Sequence, residues 1–217
     1  MQGTANDAKN GQGSPVIAVL DYGIGNLRSA EKALQRVGGD AVLTSDPCAV
    51  DRADAVVLPG VGAFGRCMEA LRDSGLENAA LGAIAQGKPF LGICVGMQML
   101  YDRSEEDPDV KGMGVLPGAV RRLTGDVKRP QMQWNRLDRT QPDSPLFEGL
   151  ADPAWVYFVH SYAPEATPDV VATCDYGGPV VAAVQRGRLW ATQFHPEKSG
   201  AAGLHLLANF VRSVPGD

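Results

Sequence analysis

Four apolar runs, bounded by turn residues and separated by helical spacing, restrict the fold of this chain more than any other feature. Val16–Leu20 (VIAVL) is apolar throughout, as expected of a strand covered on both faces. Ala41–Thr44 and Ala53–Leu58 read as the next strands, and Pro89–Ile93 (PFLGI) as another buried one. Between them, Asn26 can cap a helix through Arg36 or Val37, with Leu27, Ala30, Leu34 and Val37 on one face and Gly38-Gly39 at its end. Leu76–Gln86 forms an Ala-rich helix stopped at Gly87, and a helix from Val95 should run to about Tyr101. Strand, helix, strand, helix in that order builds a parallel sheet with helices over it.

The second half has a different texture. From Gly118 to about Phe194 it reads as short strands and turns, among them Trp155–Val159, Val170–Cys174, Val180–Arg186 and Leu189–Phe194. Gln185-Arg186-Gly187-Arg188 fits a hairpin turn. Ser104–Lys111 (SEEDPDVK) is acidic and reads as a surface loop, and Pro142–Pro153 as a loop-rich connection. Ala201–Val214 returns to helical spacing, with Leu204, Leu207, Phe210 and Val211 facing inward. The expectation is an α/β fold: a flavodoxin-like open, mostly parallel sheet covered by helices, with an antiparallel strand extension in the second half.

At 217 residues one compact domain, expected over 16–213, is favoured over two. The first fifteen residues, MQGTANDAKNGQGSP, are polar and lack the apolar core of a secretory signal, so they read as a disordered leader. No stretch is long and apolar enough for a membrane span. A net charge of −5 gives no electrostatic footprint for nucleic acid or an anionic membrane, which leaves small molecules or proteins as partners. Cys48, Cys67, Cys94 and Cys174 are scattered and form no CxxC pair, which favours reduced thiols, a cytoplasmic setting and no structural zinc.

Gly92-Ile93-Cys94-Val95-Gly96 falls where a buried strand turns into a helix. This is the spacing of a nucleophile elbow with Cys in place of Ser, in which small neighbours let the backbone bend sharply. The thiol would stand at the strand's carboxyl end, where a helix start favours negative charge and the Val95 N–H points at a developing oxyanion. Taken alone, the motif fits an inert buried cysteine equally well. A nucleophile needs a base, and three histidines are available. His205 lies among Leu204, Leu206 and Leu207 and reads as structural or exposed, while His160 ends an apolar strand. His195 stands in QFHPEKS, where Pro196 biases it toward extended chain and Glu197, two residues on, can share its side. A carboxylate on one imidazole nitrogen fixes the tautomer and leaves the other free for the thiol proton. A surface histidine beside a solvated glutamate is the plain alternative, and the elbow argues against it.

Leu58–Gly65 (LPGVGAFG) follows the third strand, and its glycines can present backbone N–H groups or let the loop change conformation at the same sheet edge as Cys94. Asp21–Asn26 (DYGIGN) also joins a strand to a helix, but a dinucleotide fingerprint requires a third glycine where Arg28 stands. That loop is expected to shape the rim of the site or a partner contact.

Together, Cys94, His195-x-Glu197, the PGVG loop and LGICVGMQ resemble the class I glutamine amidotransferases. DYGIGNLRS, PGVGAF, HSY at 160–162 and QFHPEKSGAAGL narrow the resemblance to the glutaminase subunits of imidazole glycerol phosphate synthase, over essentially residues 16–213. The resemblance implies that Cys94 attacks the carboxamide of glutamine, His195 acts as base and then acid, and Glu197 orients it. It implies oxyanion donors at Val95 and, after a loop rearrangement, Val61. Glutamine contacts would come from Gly62, Gln98, Ser161 and Tyr162, with Glu106 a further candidate for the substrate ammonium. No metal or organic cofactor is implied. The implied partner is a (βα)₈-barrel cyclase subunit in a heterodimer that uses the ammonia in histidine biosynthesis, with Trp134, Asn135 and Lys198 on the partner-facing side. The chain departs from the family's Pro-His-Met-Gly-Trp-Asn at Gln131 and Gln133, which puts packing beside that interface in question. An anthranilate-synthase-type subunit, a stand-alone γ-glutamyl cysteine peptidase and a catalytically dead binding subunit are the rival readings.

Overall fold

The computed structural model describes residues 14–215, so residues 1–13 of the expected leader lie outside the described residues. In chain order the first half runs β1 (Val16–Leu20), α1 (Leu27–Arg36), β2 (Asp40–Thr44), α2 (Pro47–Arg52), β3 (Ala55–Gly60), α3 (Phe64–Asp73), α4 (Leu76–Ala85), β4 (Phe90–Cys94) and α5 (Val95–Met99). The second half continues with β5 (Tyr101–Ser104), β6 (Leu116–Arg122), β7 (Gln131–Arg136), β8 (Asp138–Arg139), β9 (Trp155–His160), β10 (Tyr162–Pro164), β11 (Val170–Asp175), β12 (Pro179–Arg186), β13 (Leu189–Thr192) and α6 (Gly200–Arg212). Single 3₁₀ turns occupy Pro145–Phe147 and Pro196–Lys198.

Eight strands form the main sheet in the order β2-β1-β3-β4-β13-β12-β11-β8. The first five positions pair in parallel, and from β13 outward β12, β11 and β8 add on antiparallel. The parallel part has the flavodoxin-like strand order, with β13 in the fifth place. Every residue of β3 and β4 is buried, which explains why these strands read as unbroken apolar runs rather than as alternation. Helix α6 packs with α1, while α4 packs with α2 and α3. Right-handed crossovers put these two groups on opposite faces. Two further small sheets have the orders β10-β6-β5 and β7-β9.

Two expected features are corrected. The helix after Cys94 stops at Met99 rather than near Tyr101, because the Met99 carbonyl accepts from the Met113 N–H and the Leu100 carbonyl from those of Val115 and Leu116. The chain leaves the helix there and enters β5. Asn26 precedes α1, but its side chain makes no capping bond; its Oδ1 accepts from the Ser29 hydroxyl at 2.9 Å. Helices α2 and α3 were not anticipated, although Phe64, Cys67, Met68 and Leu71 make a buried stripe at helical spacing along α3. The acidic loop is tied down: Glu106 Oε2 accepts from the Phe64 N–H at 2.8 Å and Asp107 Oδ2 from the Gly65 N–H at 2.9 Å. These carboxylates satisfy two otherwise open N–H groups at the start of α3.

Candidate active site

Cys94 is the one non-glycine residue with positive φ among the described residues, at φ 55 and ψ −112. Such backbone costs on the order of 1–3 kcal/mol and persists only where the surroundings hold it. The hold comes from close packing of β3 against the elbow. A Cβ on Gly96 would lie 1.9 Å from the Leu58 carbonyl oxygen, and one on Gly60 would lie 2.7 Å from the Gly96 nitrogen. Glycine at these positions lets two backbones meet, and the strained cysteine is the residue left at the bend.

His195 reaches the same sheet edge from the end of β13. Its Nδ1 is 2.8 Å from Glu197 Oε1, with both side chains almost fully buried. His195 is itself extended, at φ −97 and ψ 97, as Pro196 predicts, but Glu197 lies in the 3₁₀ turn Pro196–Lys198 and reaches the ring through that turn rather than along extended chain. The segment is held from two sides: the His195 N–H donates to the Tyr157 carbonyl at 3.0 Å, and Ser199 Oγ donates to the His195 carbonyl at 2.6 Å. Helix α6 closes over it so tightly that a Cβ on Gly203 would lie 1.9 Å from the Pro196 carbonyl oxygen. This close approach explains the second glycine of QFHPEKSGAAGL, Gly203.

Burial alone would push the His195 pKa down, but the Cys94 thiol and the Glu197 carboxylate more than reverse that and raise it to about 9. Its Nε2 makes no hydrogen bond among the described residues, so the thiol lies near it without full hydrogen-bond geometry. Pairs of this kind often tighten only when substrate is bound. Gln193 Nε2 donates to Cys94 Sγ at 3.7 Å, and Gln98 donates to both Gln193 Oε1 and the Tyr162 carbonyl at 3.0 Å. Gln193 is a site residue beyond those expected from the sequence; its only signal there is its position two residues before His195, directly after β13.

A cavity of about 440 Å³ opens over these groups, within the range of small-molecule sites. Of the residues singled out in the sequence, Cys94, Val95, Val61, Gly62, Gln98, Glu106, Ser161, Tyr162, His195 and Lys198 line it, and Glu197 stands behind His195. Asn26 also lines it, which fits the expectation for the DYGIGN loop. Trp134 and Asn135 are not among the lining residues; they lie on the β7–β9 ribbon beside the site, paired with Tyr157 and Val156.

The sequence matches the family described as glutamine amidotransferase class-I over residues 18–214. It is 49% identical to the imidazole glycerol phosphate synthase subunit HisH of Synechococcus elongatus, over 93% of this chain and 94% of that one. The subunit of the same name from Methanothermobacter thermautotrophicus is 51% identical, over 92% of this chain and 99% of that one. The chain belongs to the HisH family of class I glutamine amidotransferases. The fold agrees with solved structures: PurLQS from Thermotoga maritima superposes with a TM-score of 0.72 at 22% identity, covering 92% of this chain and 98% of that one.

Within this HisH-family site, His160 is buried and neutral. Burial is the main cause that brings its pKa down to about 4; the charge of His195 acts the same way, against the opposing pull of the Tyr162 carbonyl. Its Nδ1 lies 2.8 Å from the Tyr162 carbonyl oxygen and its Nε2 lies 3.0 Å from Gln131 Oε1. Gln131 Nε2 in turn donates to the Cys174 sulfur at 3.7 Å. Gln131 thus fills a buried polar slot behind the site. Strand alternation places Gln131 and Gln133 on the face of β7 opposite Met132 and Trp134, so Gln133 does not share the exposed apolar face. Among the described residues no helix is long and apolar enough to cross a membrane.

Proposed function

We propose that this chain is the glutaminase subunit of an imidazole glycerol phosphate synthase. The observation that carries the reading is the His195–Glu197 couple facing a cysteine held at a strained elbow, all at one cavity. Cys94 sulfur, its proton already passed to His195 Nε2, attacks the side-chain carboxamide carbon of glutamine. Glu197 keeps the other ring nitrogen protonated and balances the imidazolium. The Val95 N–H stabilises the oxyanion, joined by that of Val61 once the Pro59–Gly62 loop has rearranged. His195 then protonates the departing ammonia, leaving a γ-glutamyl thioester. Water, activated by the same imidazole, cleaves the thioester to glutamate and frees the thiol.

Gly62, Gln98, Ser161 and Tyr162 hold the substrate. Glu106 faces its ammonium with one oxygen, the other being engaged by the Phe64 N–H. The ammonia passes to a (βα)₈-barrel cyclase that forms imidazole glycerol phosphate and aminoimidazole carboxamide ribotide. The cyclase docks on the ribbon, where Met132, Trp134 and Trp155 are about half exposed or more, with Asn135 and Lys198 at the edge of that contact. The setting is cytoplasmic and the complex a heterodimer.

The test is glutamate release from glutamine by the chain alone and with the cyclase holding its phosphoribosyl substrate. Weak release alone and strong release in the complex are expected, with none from Cys94→Ala. Release surviving Cys94→Ala would refute the nucleophile assignment, and equal rates with and without the cyclase would show that the Pro59–Gly62 loop rearranges without the cyclase.

A further inference from the structure

The loop between β3 and α3 is held at two points by buried side chains that the mechanism above does not use. Tyr22, from the β1–α1 connection, donates its hydroxyl to the Pro59 carbonyl at 2.6 Å. Cys67, in the first turn of α3, donates its thiol to the Val61 carbonyl at 3.3 Å. Tyr22 is 5% exposed and Cys67 fully buried. Burial pushes both groups' pKa values upward, with each side chain a neighbour of the other, so both stay protonated and remain donors.

The two accepting carbonyls belong to the peptide units before Gly60 and after Val61. Between them lies a single peptide unit, the one that carries the Val61 N–H. A planar peptide turns as one body about the ψ before it and the φ after it. With its neighbours fixed, this unit can swing the Val61 N–H without displacing the loop. Gly60 has no Cβ to resist the motion, and Gly62, at φ 92, closes the loop on the far side. Beyond that, Glu106 holds the Phe64 N–H, so α3 does not follow.

We infer that Tyr22 and Cys67 are positioning residues which pin the Pro59 and Val61 carbonyls, so that only the intervening peptide turns to aim the Val61 N–H at the oxyanion. The inference rests on the amidotransferase reading. It places the control of a transition-state contact on two side chains that do not themselves line the cavity.

The test measures glutamine hydrolysis by the complex with the cyclase for Tyr22→Phe, Cys67→Ala and Cys67→Ser. Loss of one hydrogen bond that serves only the transition state is expected to lower kcat about three- to tenfold in the first two, with KM for glutamine within twofold. Cys67→Ser keeps a donor and should recover most of kcat. Labelling of Cys94 by a diazoketone analogue of glutamine, followed by mass, reports an intact nucleophile and pocket in each variant. Unchanged kcat in both Tyr22→Phe and Cys67→Ala with full labelling, or a raised KM at unchanged kcat, overturns the pinning alone. Failure of the unaltered protein to label at Cys94 overturns the amidotransferase reading and the pinning with it.

Discussion

Replacing Glu197 by Gln tests the centre of the site with nearly constant shape. The carboxylate is 2.8 Å from His195 Nδ1, and both side chains are at most 3% exposed, so solvent screens the contact little. A hydrogen bond to a charged group contributes about 1.5–3 kcal/mol. If that stabilisation of the imidazolium is lost, kcat for glutamate release falls roughly 10- to 150-fold. If the amide also favours the wrong tautomer, the loss extends toward the ~10⁴ seen for the equivalent change in serine triads. Stability supplies an independent readout. The folded pKa of His195 lies above its unfolded value, so the protonated ring contributes stability that is fully present below 6.5 and lost as pH rises through about 9. At about 1.4 kcal/mol per pH unit the whole span is ~3 kcal/mol. Denaturant unfolding should therefore show the unaltered protein losing stability between these pH values and Glu197→Gln losing clearly less. A variant with kcat within threefold of the unaltered protein and the same pH slope would refute both the orienting role and the electrostatic account.

Other substitutions separate strain, packing and docking. Cys94→Gly should abolish glutamate release yet raise the melting temperature, because glycine relieves a positive φ costing about 1–3 kcal/mol; a lowered melting temperature would show that the elbow is not strained. Gly96→Ala places a methyl 1.9 Å from the Leu58 carbonyl oxygen and should cost more than ~3 kcal/mol, read by denaturant unfolding or by loss of soluble protein. Trp134→Glu, on a side chain 49% exposed, should leave the melting temperature of the isolated chain nearly unchanged while weakening binding of the cyclase at least tenfold by calorimetry.

Legibility in the sequence followed the range of the interaction. The buried strands were readable because burial on both faces makes an apolar run, and the elbow and His195-x-Glu197 because their parts are neighbours in the chain. The extent of α5 was not, since what ends it is a set of N–H groups from Met113, Val115 and Leu116. Glu106 was noticed for its charge, but its bond to the Phe64 N–H, 42 residues away, depends on how the acidic loop folds back. Gln193 and Tyr22 carry ordinary side chains whose roles appear only when β13 and β1 are set beside β4 and β3. Helix α3 is a different case. Its apolar spacing is present in the sequence, but the glycine-rich loop expected over Leu58–Gly65 overlaps its first turn and masks its start.

The elbow also explains why the remaining parts converge where they do. A residue in the conformation of Cys94 cannot be held by its own short helix: α5 has five residues, too few for its dipole to do much of the work. The conformation is enforced instead by the pairing of Gly60 with Cys94 at the end of β3 and β4, which brings the loop after β3 against Cys94. On the other side of β4, β13 pairs in parallel and ends at Thr192, so the next residues, Gln193 and His195, arrive at the same edge. The register that forces the strain therefore also delivers His195 and the loop that carries Val61. A substitution that slipped β3 against β4 should remove all three together, while changes confined to the antiparallel strands β11 and β8 should leave kcat untouched and lower only stability. A variant of β8 that halved the melting-temperature margin and also lost activity at low temperature would show that the outer strands take part in positioning the site.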